Sequence, residues 1–176
     1  MKDTSLAIVG IVIVVLLTLL IFLTGEKDEI VFKKIELSED ISINNLSSPS
    51  YYDTILKVGM SQFQMEGMMV NILPLSENAK SQFDGDLSAH LRYFDERFYL
   101  FIDSMEKSQA ITVISHEIIH MDQYLKEDLV FDGENVFWLG RSYNLSSTTY
   151  DVRPWEREAF TRESDLDQKI RKLLID

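Results

Sequence analysis

A chain of 176 residues is long enough for one domain with a real core plus one further segment. Its 17 basic and 29 acidic residues leave a formal net charge of -12, which excludes the basic footprint that nucleic-acid binding needs. With no cysteine, disulfide frameworks and thiolate metal sites are excluded too, so any metal must be held by His, Asp or Glu.

The first element is an apolar run, Leu6 to Leu23, broken only by Gly10 and Thr18 and free of charge. At about 1.5 Å per helical residue it covers most of a hydrocarbon core roughly 30 Å thick. No small-residue cleavage site follows it, since Ile21-Phe22-Leu23-Thr24-Gly25 lacks an A-x-A pattern. Residues 1–25 are therefore read as an uncleaved, single-pass transmembrane anchor. Lys2 and the amino terminus lean towards an inside N-terminus, with the domain on the non-cytoplasmic side.

Residues 26–50 read as a stalk or linker with a possible first strand, where Ile30, Phe32, Ile35 and Leu37 partly alternate. The domain proper is expected over 51–176. A polar stretch with Pro49 leads into a helix near Tyr51 to Phe63. Met68 to Leu73 is a candidate strand ended by Pro74, and Ser76 to Asp86 is a polar loop. Leu91 to Phe94 and Arg97 to Ile102 flank Asp95-Glu96 and predict a hairpin rich in aromatics.

A long helix should follow, over Glu106 to about Lys126, with Asp103 as N-cap and Glu106 as its capping-box partner. Ile111, Ile114, Ile118, Met121 and Leu125 fall on one face of its helical wheel. His116 and His120 lie on the opposite face, about 40° apart, with Gln123 about 20° to the other side of His116.

Those two histidines carry the chemistry. His116-Glu117-Ile118-Ile119-His120 is an HExxH pattern, and it holds two of the three histidines in the chain. Residues four apart on a helix are neighbours, about 5–6 Å apart at Cβ, so two imidazoles can converge on one metal. Glu117 then reaches water at that metal and acts as its general base.

Downstream, Asp132-Gly133 marks a hairpin turn between Val130-Phe131 and Val136-Phe137-Trp138. Pro154 suits the first position of a second helix, running to about Leu174. Trp155, Ala159, Leu166, Ile170 and Leu173 give that helix one packing face. Glu156 and Glu158 lie in its first turn.

HEIIH followed by Pro154-Trp155-Glu156-Arg157-Glu158-Ala159 resembles the gluzincin branch of the zincin metallopeptidases, and small zincin-like domains of bacteria and phages. The resemblance covers roughly Tyr99 to Ala159. It implies a third zinc ligand on the later helix: a Glu with a small residue three positions on, as Glu156 has in Ala159. Glu158 is the alternative, with Thr161 in that place. Glu156 also lies nearer the packing stripe, about 60° from its centre against about 100° for Glu158. Such families often carry Asp or Asn four residues after the Glu. Phe160 stands there instead, so the partner that would orient a ligand is missing or supplied elsewhere.

Lesser candidates surround this set. Gln123 shares the ligand face and either hydrogen-bonds near the site or lines a cleft wall. Tyr143 or Tyr150 is a candidate phenol for the oxyanion, against the plainer role of packing. His90 sits in a strand region and reads as a surface or core histidine, and Arg153, Arg157 and Arg162 as a solvated helix face.

The fold expected is α+β: a small, mostly antiparallel sheet backing the motif helix, with a second helix at the C-terminus. The function expected is membrane-anchored, zinc-dependent peptide hydrolysis, with His116, His120 and Glu156 holding Zn2+ and Glu117 as base. Its partners are a peptide or protein substrate and the membrane. The rival is a catalytically silent, membrane-anchored binding module on the same scaffold.

Overall fold

In a computed structural model the described residues are 34–36, 41–44, 49–77, 80, 88–133 and 135–175. The apolar run Leu6 to Leu23, expected to be an anchor, and most of the Ser76 to Asp86 stretch lie outside them. Among the described residues no helix is long and apolar enough to cross a membrane.

Two short strands open the described chain, β1 (Lys34–Glu36) and β2 (Ile41–Asn44), within the stretch read as stalk or first strand. Helix α1 (Pro49–Ser61) starts on Pro49, which carries no N–H for the first turn to leave unpaired. Then come β3 (Val70–Pro74), β4 (Ala89–Phe94) and β5 (Arg97–Ile102). The β4–β5 hairpin closes on Asp95-Glu96, both at positive φ (52° and 57°), the mirror-turn geometry that suits the twist of two paired strands.

The five strands form one sheet in the order β1-β2-β3-β5-β4. It is mixed rather than mostly antiparallel: β2 pairs β3 and β3 pairs β5 in parallel, while β1–β2 and β4–β5 are antiparallel. The α1 crossover returns the chain to a parallel neighbour of β2, which a hairpin cannot do. Alternation then decides which side is buried. Val70 and Ile72 of β3, Phe98, Leu100 and Ile102 of β5, and Ala89 and Leu91 of β4 all face the core.

Helix α2 (Lys107–Leu125) holds the HExxH motif and fills that core with Ile111, Ile114, Ile118, Ile119 and Met121. Its N-cap is Glu106, not Asp103, and makes no side-chain cap bond. Asp103 ends the β5 connection three residues earlier, accepts from the Ser104 N–H at 3.0 Å and pairs with Lys80 at 2.8 Å. Leu125 does not join the core and is 37 % exposed at the C-terminal end of the helix.

A second, three-stranded sheet follows: β6 (Leu129–Asp132), β7 (Asn135–Trp138) and β8 (Arg141–Asn144). The expected Asp132-Gly133 hairpin is its first half. A small core of Leu129, Val136, Trp138 and Trp155 ties this sheet to the first turn of helix α3 (Pro154–Ile175). Helix α3 runs antiparallel to α2. Its side-chain bonds step down the pair as Arg162–Asp122, Glu163–His116, Asp167–Thr112 and Arg171–Ser108. Arg162 is thus no solvated residue: it bridges buried Asp122 and Glu158 and lies over the Phe63 ring. Ala159, Leu166 and Ile170 of α3 are buried in the main core, whereas Leu173 is 55 % exposed.

Gly59 sets how closely α1 approaches the motif helix. A Cβ there would come within 2.3 Å of Ile118 Cδ1 and 3.0 Å of Ile170 Cδ1. Alanine favours a helix over glycine by about 1 kcal/mol, and overpacking a full core costs about 1–3 kcal/mol, so Gly59→Ala should destabilise modestly. Ile118→Val deletes the obstructing methyl at a cost of about 0.5–1.5 kcal/mol. The double variant should unfold in denaturant at a stability above the sum of the two single losses. Additive losses would mean that the two groups do not meet.

Candidate metal centre

Helix α2 is buried almost all round, so its polar side chains must find partners inside the protein. His116, Glu117, His120 and Gln123 are each at most 9 % exposed. The ties that aim the two imidazoles come from Gln123 on α2 itself and from residues of α3.

His116 Nδ1 donates to Glu163 Oε2 at 3.0 Å, which leaves Nε2 as the lone-pair nitrogen. His120 Nδ1 donates to Gln123 Oε1 at 2.7 Å. Gln123 cannot turn its amide over, because its Nε2 donates to Trp155 O at 3.0 Å and to the Glu158 carboxylate. Both Nε2 atoms therefore face the same point, 3.1 Å apart. Glu156 Oε2 joins them at 3.3 Å from each. Its second oxygen, Oε1, accepts from the Trp155 indole N–H at 3.1 Å, so the small second core that clamps Trp155 also sets this carboxylate.

His116, His120 and Glu156 are thus brought together, and their ligand atoms lie within 4.8 Å of one another. Three lone pairs aimed at one point repel unless a cation sits between them. Atoms about 2.1 Å from a common centre at a tetrahedral angle would lie roughly 3.4 Å apart, close to the separations seen. The donor set, two neutral imidazoles and a carboxylate, fits a divalent metal. Glu158 is not in the group: it holds Gln123 and Arg162.

The charges answer to this convergence. Burial alone would lower the pKa of His120, but the Glu156 hydrogen bond and the Glu117 charge outweigh it and raise it to about 9. For Glu156, burial pushes upward, yet the bonds to His116 and His120 hold the carboxyl well below its ordinary value. A proton shared here stands where a cation would. Glu117 differs: burial pushes its pKa up, and its interactions with His120 and His116 offset only part of that.

No protein-family model, curated protein or solved structure matches the chain. What the centre can do is therefore read from its own atoms: a buried His-His-Glu group able to hold a metal ion, with a buried acid beside it.

The remaining candidates divide. The Tyr150 hydroxyl hydrogen-bonds Glu156, and burial with that carboxylate's charge pushes its pKa up. Tyr143 packs edge-on against Trp155 at 5.6 Å and belongs to the small core. His90, on β4, is not in the cluster. Arg92 Nε donates to its Nε2 at 3.1 Å, and burial with the Arg92 charge lowers its pKa to about 4.

Glu163 is the functional residue that sequence reasoning missed. It stands two helical turns past Glu156, about 20° from the same azimuth, and takes the orienting role that position 160 does not fill. Glu163→Ala should weaken metal affinity by about 10–100-fold in a competition titration against a chromogenic chelator. Glu163→Gln should lose less, because it keeps an acceptor oxygen. Equal affinity in all three proteins would remove Glu163 from the site.

Proposed function

We propose that this chain is a membrane-anchored, zinc-dependent metallopeptidase. The observation that carries the reading is the convergence of His116 Nε2, His120 Nε2 and Glu156 Oε2, with Glu117 buried beside them. Two histidines and a glutamate match the three-ligand set of catalytic zinc sites, which keep one position open. The apolar run Leu6 to Leu23 would serve as the anchor.

When bound, zinc supplies a water of lowered pKa and polarises a carbonyl. The chain's own groups do the rest. Glu163 and Gln123 hold the imidazoles so that Nε2 of each faces inward. Glu117 accepts the water's proton and passes it to the departing amine. The Tyr150 hydroxyl, beside Glu156, would donate to an oxyanion. Among the described residues β4 is one of the two edges of the five-stranded sheet, and it packs on α2. An extended peptide can add to that edge through its backbone.

The test is metal content. The full chain, purified in detergent and dialysed against zinc, should carry about one zinc per chain by elemental analysis, and His116→Ala should carry none. A folded wild-type chain that takes up no zinc would overturn the metallopeptidase reading.

A further inference from the structure

Phe160 is out of place by ordinary rules. It lies on the site face of α3, one turn after Glu156 and just before Glu163, with its ring centroid 4.7 Å from that of His116. Yet it is 53 % exposed. Helix α3 buries Trp155, Ala159, Leu166 and Ile170, so packing does not require a phenyl ring at position 160. Nor does orientation of His116, which Glu163 provides. Tyr150 extends the same surface, 49 % exposed, with its ring edge-on to Phe160 at 6.2 Å. Val152, two residues on, is 55 % exposed. Beside the polar, charged centre there is therefore partly exposed apolar surface on Phe160, Tyr150 and Val152, and large exposed apolar side chains beside a site mark contact with a ligand.

We propose that Phe160, with Tyr150 beside it, is a specificity-determining residue that receives an apolar side chain, aliphatic or aromatic, next to the substrate carbonyl held at the metal. The inference rests on the metallopeptidase reading and deepens it. Successive residues of an extended peptide are about 3.3 Å apart, so a side chain flanking that carbonyl reaches a ring in contact with His116. An acidic side chain there would meet the phenyl face and the Glu156 and Glu163 carboxylates behind it.

Hydroxamates test this by binding alone. Zinc-loaded full chain would be titrated with acetohydroxamate and with short peptide hydroxamates carrying Gly, Leu, Phe or Asp beside the chelating group. Wild type should bind the Leu and Phe compounds roughly ten-fold more tightly than the Gly compound, as expected for burying most of one such side chain, and the Asp compound most weakly. Phe160→Ala should shrink the preference to within about three-fold, and Phe160→Leu should keep it for the Leu compound. Zinc stoichiometry should stay the same in both variants, which shows that the centre is intact. Zinc and acetohydroxamate binding without any side-chain preference would overturn the role of Phe160 while sparing the metal centre. A preference that survives Phe160→Ala would do the same. A chain that binds no zinc overturns both.

Discussion

Glu117→Gln should leave the metal in place and remove hydrolysis. The substitution keeps the shape of the side chain, and Glu117 is none of the three groups whose atoms converge. A general base contributes about 10²–10⁴-fold, so kcat/KM for a fluorogenic peptide should fall by at least that range. Bound zinc should stay at wild-type stoichiometry. Stability of the metal-free chain supplies a second readout. A carboxyl whose folded pKa is raised binds its proton more tightly in the native state than in the unfolded one. Stability is then lost as pH climbs from 4.5 through the folded value, and a neutral amide removes that loss. Glu117→Gln should therefore melt no lower than wild type at neutral pH. More than a tenth of wild-type activity in this variant would show that Glu117 is not the base.

The same residue shows what a sequence reader can see. HExxH on a capless but long helix, with isoleucines opposite, fixed the buried face and the ligand face together, because helical periodicity is local. The preference for Glu156 over Glu158 rests first on the resemblance, with Ala159 three positions on, and then on its place on the helical wheel; in the folded chain Glu156 meets the histidines while Glu158 holds Gln123. Position 163 is equally legible by periodicity, since seven residues past Glu156 bring an acid back to nearly the same azimuth, although the familiar spacing for an orienting acid is four. Other features were not local. The parallel pairing of β2 with β3 and of β3 with β5 depends on which strands meet after a crossover, and no alternation within a strand encodes that. Arg162 looks solvated on a wheel, since its partner Asp122 comes from another helix. Leu125 and Leu173 continue apolar stripes past the ends of the surfaces they pack on, which is why both emerge exposed.

Zinc should raise the melting temperature of the full chain substantially, and His116→Ala should abolish the rise. A ligand present at about 1,000 times its Kd stabilises the native state by about 4 kcal/mol, if the unfolded chain does not bind it. For a domain of this size that corresponds to roughly 8–16 °C. The size of the rise should depend on pH in a set direction. Without metal, His120 is held protonated by Glu156 and Glu117, with its pKa raised from 6.5 to about 9. A histidine of raised pKa contributes stability that is fully present below 6.5 and is lost as pH climbs towards 9. The metal-free chain should therefore weaken across that window. Zinc must displace the same proton, so its apparent affinity should increase over the window, by at most about tenfold per pH unit for one proton. The zinc-loaded chain no longer carries that proton, so its curve stays level while the metal-free curve falls, and the gap widens as pH rises from 6.5. In His116→Ala, with one imidazole gone, the two curves should coincide at every pH. A gap in wild type that stays constant across the window would mean that the metal does not compete with the His120 proton, and that it binds somewhere other than the His116, His120 and Glu156 cluster.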